Sequence, residues 1–217
     1  MNNRSKISVK NLCLTLILLL AGCFSSFAEN PPYTRISELD EMDFREMLGS
    51  VELGSYADQI RAKQLEDGKN LLRTFSQNIG CNVETFRNKE IILVTIPARL
   101  LFAPNETVLN ETAGELLEPF KKYLKEPDKY RLLLTMHTDN TGSEPYREAL
   151  TEERVEAVFD WFEKSNGVDT TYIFTYAFGD EEPLYENDSQ EHRDKNRRLE
   201  VYIMPGQTMV DQYKKSK

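Results

Sequence analysis

The chain has 217 residues, 40% of them hydrophobic, which suits one globular domain of ordinary size with additional segments. Its 36 acidic and 27 basic residues give a formal net charge of −9. That balance excludes general nucleic-acid binding, because phosphate neutralisation needs clustered Lys and Arg.

Residues 1–28 differ from the rest. Arg4, Lys6 and Lys10 precede the run LCLTLILLLAG, which is too short to span a bilayer comfortably and is followed by small residues. This is an export signal. Two processing sites fit it. Leu20-Ala21-Gly22-Cys23 resembles the bacterial lipobox, which makes residues 1–22 a lipoprotein signal peptide and Cys23 the lipidated N-terminus. Ordinary cleavage after Ser26-Phe27-Ala28 fits as well. At about 0.8 kcal/mol per buried CH₂, several acyl chains on Cys23 would hold the protein firmly on a membrane. Cys13 lies inside the signal, so Cys81 is the other cysteine of the mature chain, and no disulfide framework is expected. Cys81 reads as a small buried hydrophobe.

Residues 23–59 carry Pro31-Pro32, several acidic residues and two glycines after them, and read as a tether that folds partly on its neighbour. Residues 60–90 supply a leading helix and a hairpin strand. Leu65, Leu71, Leu72 and Phe75 form a helical stripe between Ile60 and Ile79, closed by Gly80. CNVETF and EIILVTIPARLLF then read as two strands of a hairpin turning at Arg87-Asn88-Lys89. ETAGELLEPFKKYLKE reads as a helix, and YRLLLTMH as a strand buried on both faces. A helix from about Ser143 to Ser165 follows, with Ser143 as N-cap and Pro145 tolerable in the first turn, the alternative being that Thr151 caps a second, shorter helix. TYIFTYAF and RRLEVYIM are the last strands, and residues 207–217 read as a polar C-terminal tail. The order predicts an α/β (α+β) sandwich: a β-α-β-α-β-β core with a mixed sheet over residues 91–206, helices on one or both faces, preceded by a helix and a hairpin strand.

Two charges stand out. Counting about 100° per residue from Leu150, Arg154 falls near 40°, on the same stripe as Ala157 and Trp161. Asp139 lies just past the carboxyl end of a buried strand, where open α/β sheets place ligands. If the Gly142 turn folds the helix back over the strand end, the two converge on one small molecule. A carboxylate beside a guanidinium recognises a zwitterion such as an amino-acid head group. The plainer alternative is an internal salt bridge between them.

TMHTDNTGSEPYREALTEERVEAV, AFGDEEPLYEND and HRDKNRRLEVYI, in that order, resemble the OmpA C-terminal domain that also occurs in the peptidoglycan-associated lipoprotein and in flagellar motor proteins. The resemblance implies non-covalent binding of the diaminopimelate in the peptidoglycan stem peptide. It implies that Asp139 takes the ammonium group, that Arg154 takes the carboxylate, and that Arg197 supports the pocket, with Asn105 and Thr138 on its rim. With lipidation, it implies a protein linking the outer membrane to the cell wall from the periplasmic face, needing no cofactor. This sequence departs from the family pattern at Met136 for a glycine, Arg147 for an asparagine and Ala103 for an acidic residue. Arg147 either adds a grip on a carboxylate or crowds the pocket.

The rival reading is an envelope assembly subunit or adaptor that binds another envelope protein through this domain. A wall hydrolase is disfavoured, since no nucleophile elbow, HExxH or candidate catalytic cysteine is present. His137 and His192 lack metal-ligand spacing. Trp161 reads as core, the run 179–183 as a polar turn, and Arg197-Arg198 alternatively as a solvated strand edge.

Overall fold

The computed structural model describes residues 51–216. The signal peptide over 1–22, Cys23 and the tether up to residue 50 lie outside the described residues.

The first long helix, α1 (Ala57–Phe75), buries Ile60, Gln64, Gly68, Leu71 and Phe75 along one stripe. It starts three residues before Ile60 and stops short of Ile79. Two strands follow, β1 (Asn82–Phe86) and β2 (Ile91–Pro97), paired antiparallel. Their turn places Arg87, Asn88 and Lys89 at φ of 48°, 54° and 68°, the left-handed region. Gln64 pins the helix to the sheet, donating from its side-chain amide to the carbonyls of Glu90 at 2.7 Å and Ile203 at 3.1 Å.

The expected helix after β2 is split. α2 (Ala113–Leu117) is α-helical, and Glu118–Leu124 continues as a 3-10 helix. Pro119, at the junction, lacks the backbone N–H an α-helix would use. Then come β3 (Tyr130–His137), α3 (Glu144–Glu163) and β4 (Ile173–Gly179). A short helix, α4 (Gln190–Asn196), precedes β5 (Arg198–Pro205) and was not foreseen from sequence. The sheet order is β1-β2-β5-β3-β4, with β3 and β4 parallel and the other pairs antiparallel. The sheet is mixed, as its sequence of elements predicts.

Alternation along the strands sends Ile92, Val94 and Ile96 of β2, Leu132, Leu134 and Met136 of β3, and Leu199, Val201 and Ile203 of β5 into one core. Ile60, Leu71 and Phe75 of α1 and Val155, Val158 and Phe162 of α3 pack into the same cluster. Each such side chain contributes about 1.5–3 kcal/mol by leaving water. Residues 207–217, read as a polar tail, instead contain α5 (Gln207–Lys215), whose Met209 and Val210 are buried in that core. Three hydrophobic residues in nine, Met209, Val210 and Tyr213, were too few to signal a helix from sequence.

Arg198 also departs from expectation. β5 is the central strand, so Arg198 is no solvated edge residue; it is 1% exposed and its Nε donates to Glu200 Oε1 at 2.8 Å. Its Nη1 and Nη2 donate to the carbonyls of Asn196 and Glu182, each at 3.0 Å. Tyr202 donates its hydroxyl to the other oxygen of Glu200. Burial pushes the Glu200 carboxyl up, but the Arg198 charge beside it and His137 outweigh that and bring it to about 2.

Candidate functional site

Asp139 follows β3 directly. Thr138, buried, ties this exit to β4 by donating its backbone N–H to the Gly179 carbonyl at 2.7 Å. The Asp139 side chain folds back on its own turn, accepting the Thr141 backbone N–H on Oδ1 at 2.7 Å. Gly142 then reverses the chain at φ 89°, and a Cβ there would stand 2.8 Å from the Tyr146 ring. Ser143 leads into α3 with Pro145 in its first turn, as expected, though its side chain makes no capping bond.

The other oxygen of Asp139 is held by Arg197 Nη1. Arg197 sits where α4 gives way to β5, and its second terminal nitrogen bonds Asp194. Burial pushes the Asp139 carboxyl up, yet the Thr141 bonds and Arg197 outweigh it, leaving the group below its ordinary range.

Arg154 projects from the middle of α3 on the buried stripe, 4% exposed. Its partner is not a carboxylate. Nε donates to the Glu106 carbonyl at 2.8 Å and Nη2 to the Ala103 carbonyl at 3.3 Å. Both carbonyls belong to an exposed strap, residues 103–106, that follows β2 after the 3-10 helix Ala98–Leu100 and is hydrogen-bonded to α3. The face of Phe102 lies 4.9 Å from the Arg154 guanidinium carbon, a cation–π contact. Burial depresses the pKa of Arg154; Tyr146 opposes that and the positive charge of Arg197 adds to it. The guanidinium nevertheless stays protonated at any physiological pH.

The expectation that Asp139 and Arg154 stand as a carboxylate beside a guanidinium is therefore corrected. Asp139 is 2% exposed, and it pairs with Arg197 rather than with Arg154. The alternative of an internal Asp139–Arg154 salt bridge is not what forms either. What the fold assembles is a triad of Asp139, Arg197 and Arg154, in which Arg197 bonds the first and acts electrostatically on the third.

The remaining predicted residues divide. Asn105 sits at the strap apex with φ 63° and accepts the Tyr146 hydroxyl at 3.2 Å. Arg147 is engaged elsewhere: Nε donates to Asp180 Oδ1 at 2.7 Å and Nη1 to the Gly142 carbonyl at 2.6 Å. It braces the turn after Asp139 against the loop beyond β4. Tyr146, Phe102 and Asp194 are partners that sequence reasoning missed. Nothing in the local pattern of Phe102 or Asp194 signals a charge partner, whereas Tyr146 could have been suspected from the glycine four residues before it. His137, 1% exposed, stacks on Phe178 with ring centroids 5.1 Å apart. Trp161 is partly buried against the core, and among the described residues no cluster of His, Cys, Asp and Glu could hold a metal ion.

Residues 101–197, which hold the strand-end site, match the OmpA family. The chain is similar to the outer-membrane lipoprotein YfiB of Pseudomonas aeruginosa, 29% identical over 106 residues that cover 49% of this chain and 62% of that one. It is similar also to the peptidoglycan-associated lipoprotein of Brucella melitensis biotype 1, 26% identical over 128 residues, 59% of this chain and 75% of that one. The chain thus spans less than two thirds of YfiB. Among solved structures, a MotB-like protein from Desulfovibrio vulgaris shares the fold with a TM-score of 0.59 at 21% identity, over 68% of this chain and 94% of that one.

Proposed function

We propose that the domain binds peptidoglycan without cleaving it, holding the diaminopimelate of a stem peptide between Asp139 and Arg154. The carrying observation is the state of Arg154. Of the five N–H donors of a guanidinium, two go to strap carbonyls, and none of the others donates to a described residue. A nearly buried cation with unused donors, close enough to feel the charge of the Arg197 that holds Asp139, suits a ligand bearing both charges. The ammonium of the ligand shares Asp139 with Arg197, and its carboxylate meets Arg154.

Each charge-assisted contact contributes about 1.5–3 kcal/mol, so one stem peptide is held with modest affinity. Attachment compensates. With a lipid on Cys23 in the outer membrane and the domain on the wall, effective concentration turns many exchangeable grips into a durable link. Names of relatives such as the peptidoglycan-associated lipoprotein favour this reading over an adaptor.

The test is retention of the full chain on purified peptidoglycan. Wild type is expected to be retained and Asp139→Ala and Arg154→Ala to be lost. Equal retention of all three rejects the site, and loss of radiolabel from Cys23 in cells fed labelled fatty acid rejects the anchor.

A further inference from the structure

Resting on that reading, we infer that Tyr146 and Asn105 form a latch that positions Arg154, so that Asn105 serves the strap and is not itself a contact to the ligand. Residues 103–106 are all exposed, and their backbone makes a single turn bond, Glu106 N–H to the Ala103 carbonyl at 3.1 Å. Side chains supply the rest. Arg154 reaches the Ala103 and Glu106 carbonyls, and Tyr146, one turn into the same helix, donates its hydroxyl to Asn105. Arg154 is thus buried by a thin exposed segment that α3 fastens at two points.

The geometry of the guanidinium gives the latch its use. Nε and Nη2 share one edge of the planar fork, and that is the edge the strap occupies. The end-on pair, one hydrogen from Nη1 and the second from Nη2, is left for a carboxylate, which it matches in bidentate fashion. Two carbonyls and the Phe102 face fix the plane of a side chain that would otherwise lose several rotamers on binding. Asn105 is suited to its place. Its φ of 63° is a conformation that Asn tolerates better than most residues, and it turns the side-chain oxygen toward Tyr146. Tyr146 itself is 42% exposed, so its hydroxyl bond is made in a position where burial does not force it.

The test is a double-mutant cycle on the full chain, titrated with free meso-diaminopimelate. Tyr146→Phe removes the hydroxyl, and Asn105→Gly removes the acceptor while keeping the positive φ. Each is expected to weaken binding about two- to tenfold, the worth of one hydrogen bond, and the double variant no more than either alone. Additive losses would mean that Asn105 touches the ligand directly and would overturn the latch. Wild-type affinity in Tyr146→Phe, with Arg154→Ala inactive, refutes the latch alone; wild-type affinity in Arg154→Ala as well refutes the binding site. A readout in the unaltered chain guards against misfolded variants. The Arg154 Nε–H is expected to exchange slowly with solvent before any ligand is added, and exchange as fast as in a free guanidinium overturns the proposal.

Discussion

Asp139 is held by Arg197, 58 residues further along the chain, and the bond joins the exit of β3 to the entrance of β5. A ligand ammonium would meet a carboxylate whose orientation Arg197 and the Thr141 N–H already fix. Arg197→Ala is expected to raise the Asp139 pKa and to weaken meso-diaminopimelate binding about tenfold to a hundredfold, the range for one charge-assisted contact. Side-chain carboxyl NMR and calorimetric titration read the two effects. An unchanged Asp139 titration would show that Arg197 does not govern it.

The pH dependence follows from the same group. The folded Asp139 lies below its ordinary value of 3.8, so its charge is present above that value and is lost only as pH falls through the depressed one. Binding of meso-diaminopimelate is therefore expected to stay level from neutrality to about pH 4 and to fall away below. A midpoint at pH 6 would implicate another group.

Glu200 makes a separate claim on stability. Its carboxyl, brought to about 2 from an ordinary 4.5, contributes stability that is complete above 4.5 and is lost as pH falls toward 2. Glu200→Gln leaves Arg198 buried beside a neutral partner and is expected to cost about 3–5 kcal/mol in denaturant unfolding at pH 7. The variant should also lose the acid slope of the wild type between those two pH values. A loss of unfolding free energy under about 1 kcal/mol would mean that solvent reaches Arg198.

Gly142→Ala tests the turn that brings α3 back over the strand end. At φ 89° any side chain is strained, and this Cβ would meet Tyr146 at 2.8 Å. A loss of about 1–2 kcal/mol is expected from the backbone alone, with weaker ligand binding as Tyr146 shifts. Thermal unfolding and titration measure both.

Much of this was legible in the sequence. β-rich runs, one of them continuously apolar, located the strands, and helical counting put Arg154 on the buried stripe of α3. Asp139 was readable as a strand-end residue. The partners were not. The carbonyls that hold Arg154 belong to Ala103 and Glu106, and a backbone carbonyl has no letter of its own. Arg197 reaches Asp139 through tertiary folding, which no local spacing encodes. Short polar α4 and sparsely apolar α5 carry too little periodicity to be recognised without the core they pack on.

β5 is the last strand in sequence and the middle one in space. Ile203 faces Ile92 of β2 on one side and Leu132 of β3 on the other. Until residues 198–205 are available, β1–β2 and β3–β4 are two-stranded fragments, which are marginal in water on their own. Arg197 immediately precedes that closing strand, so Asp139 gains its partner only as the sheet is completed.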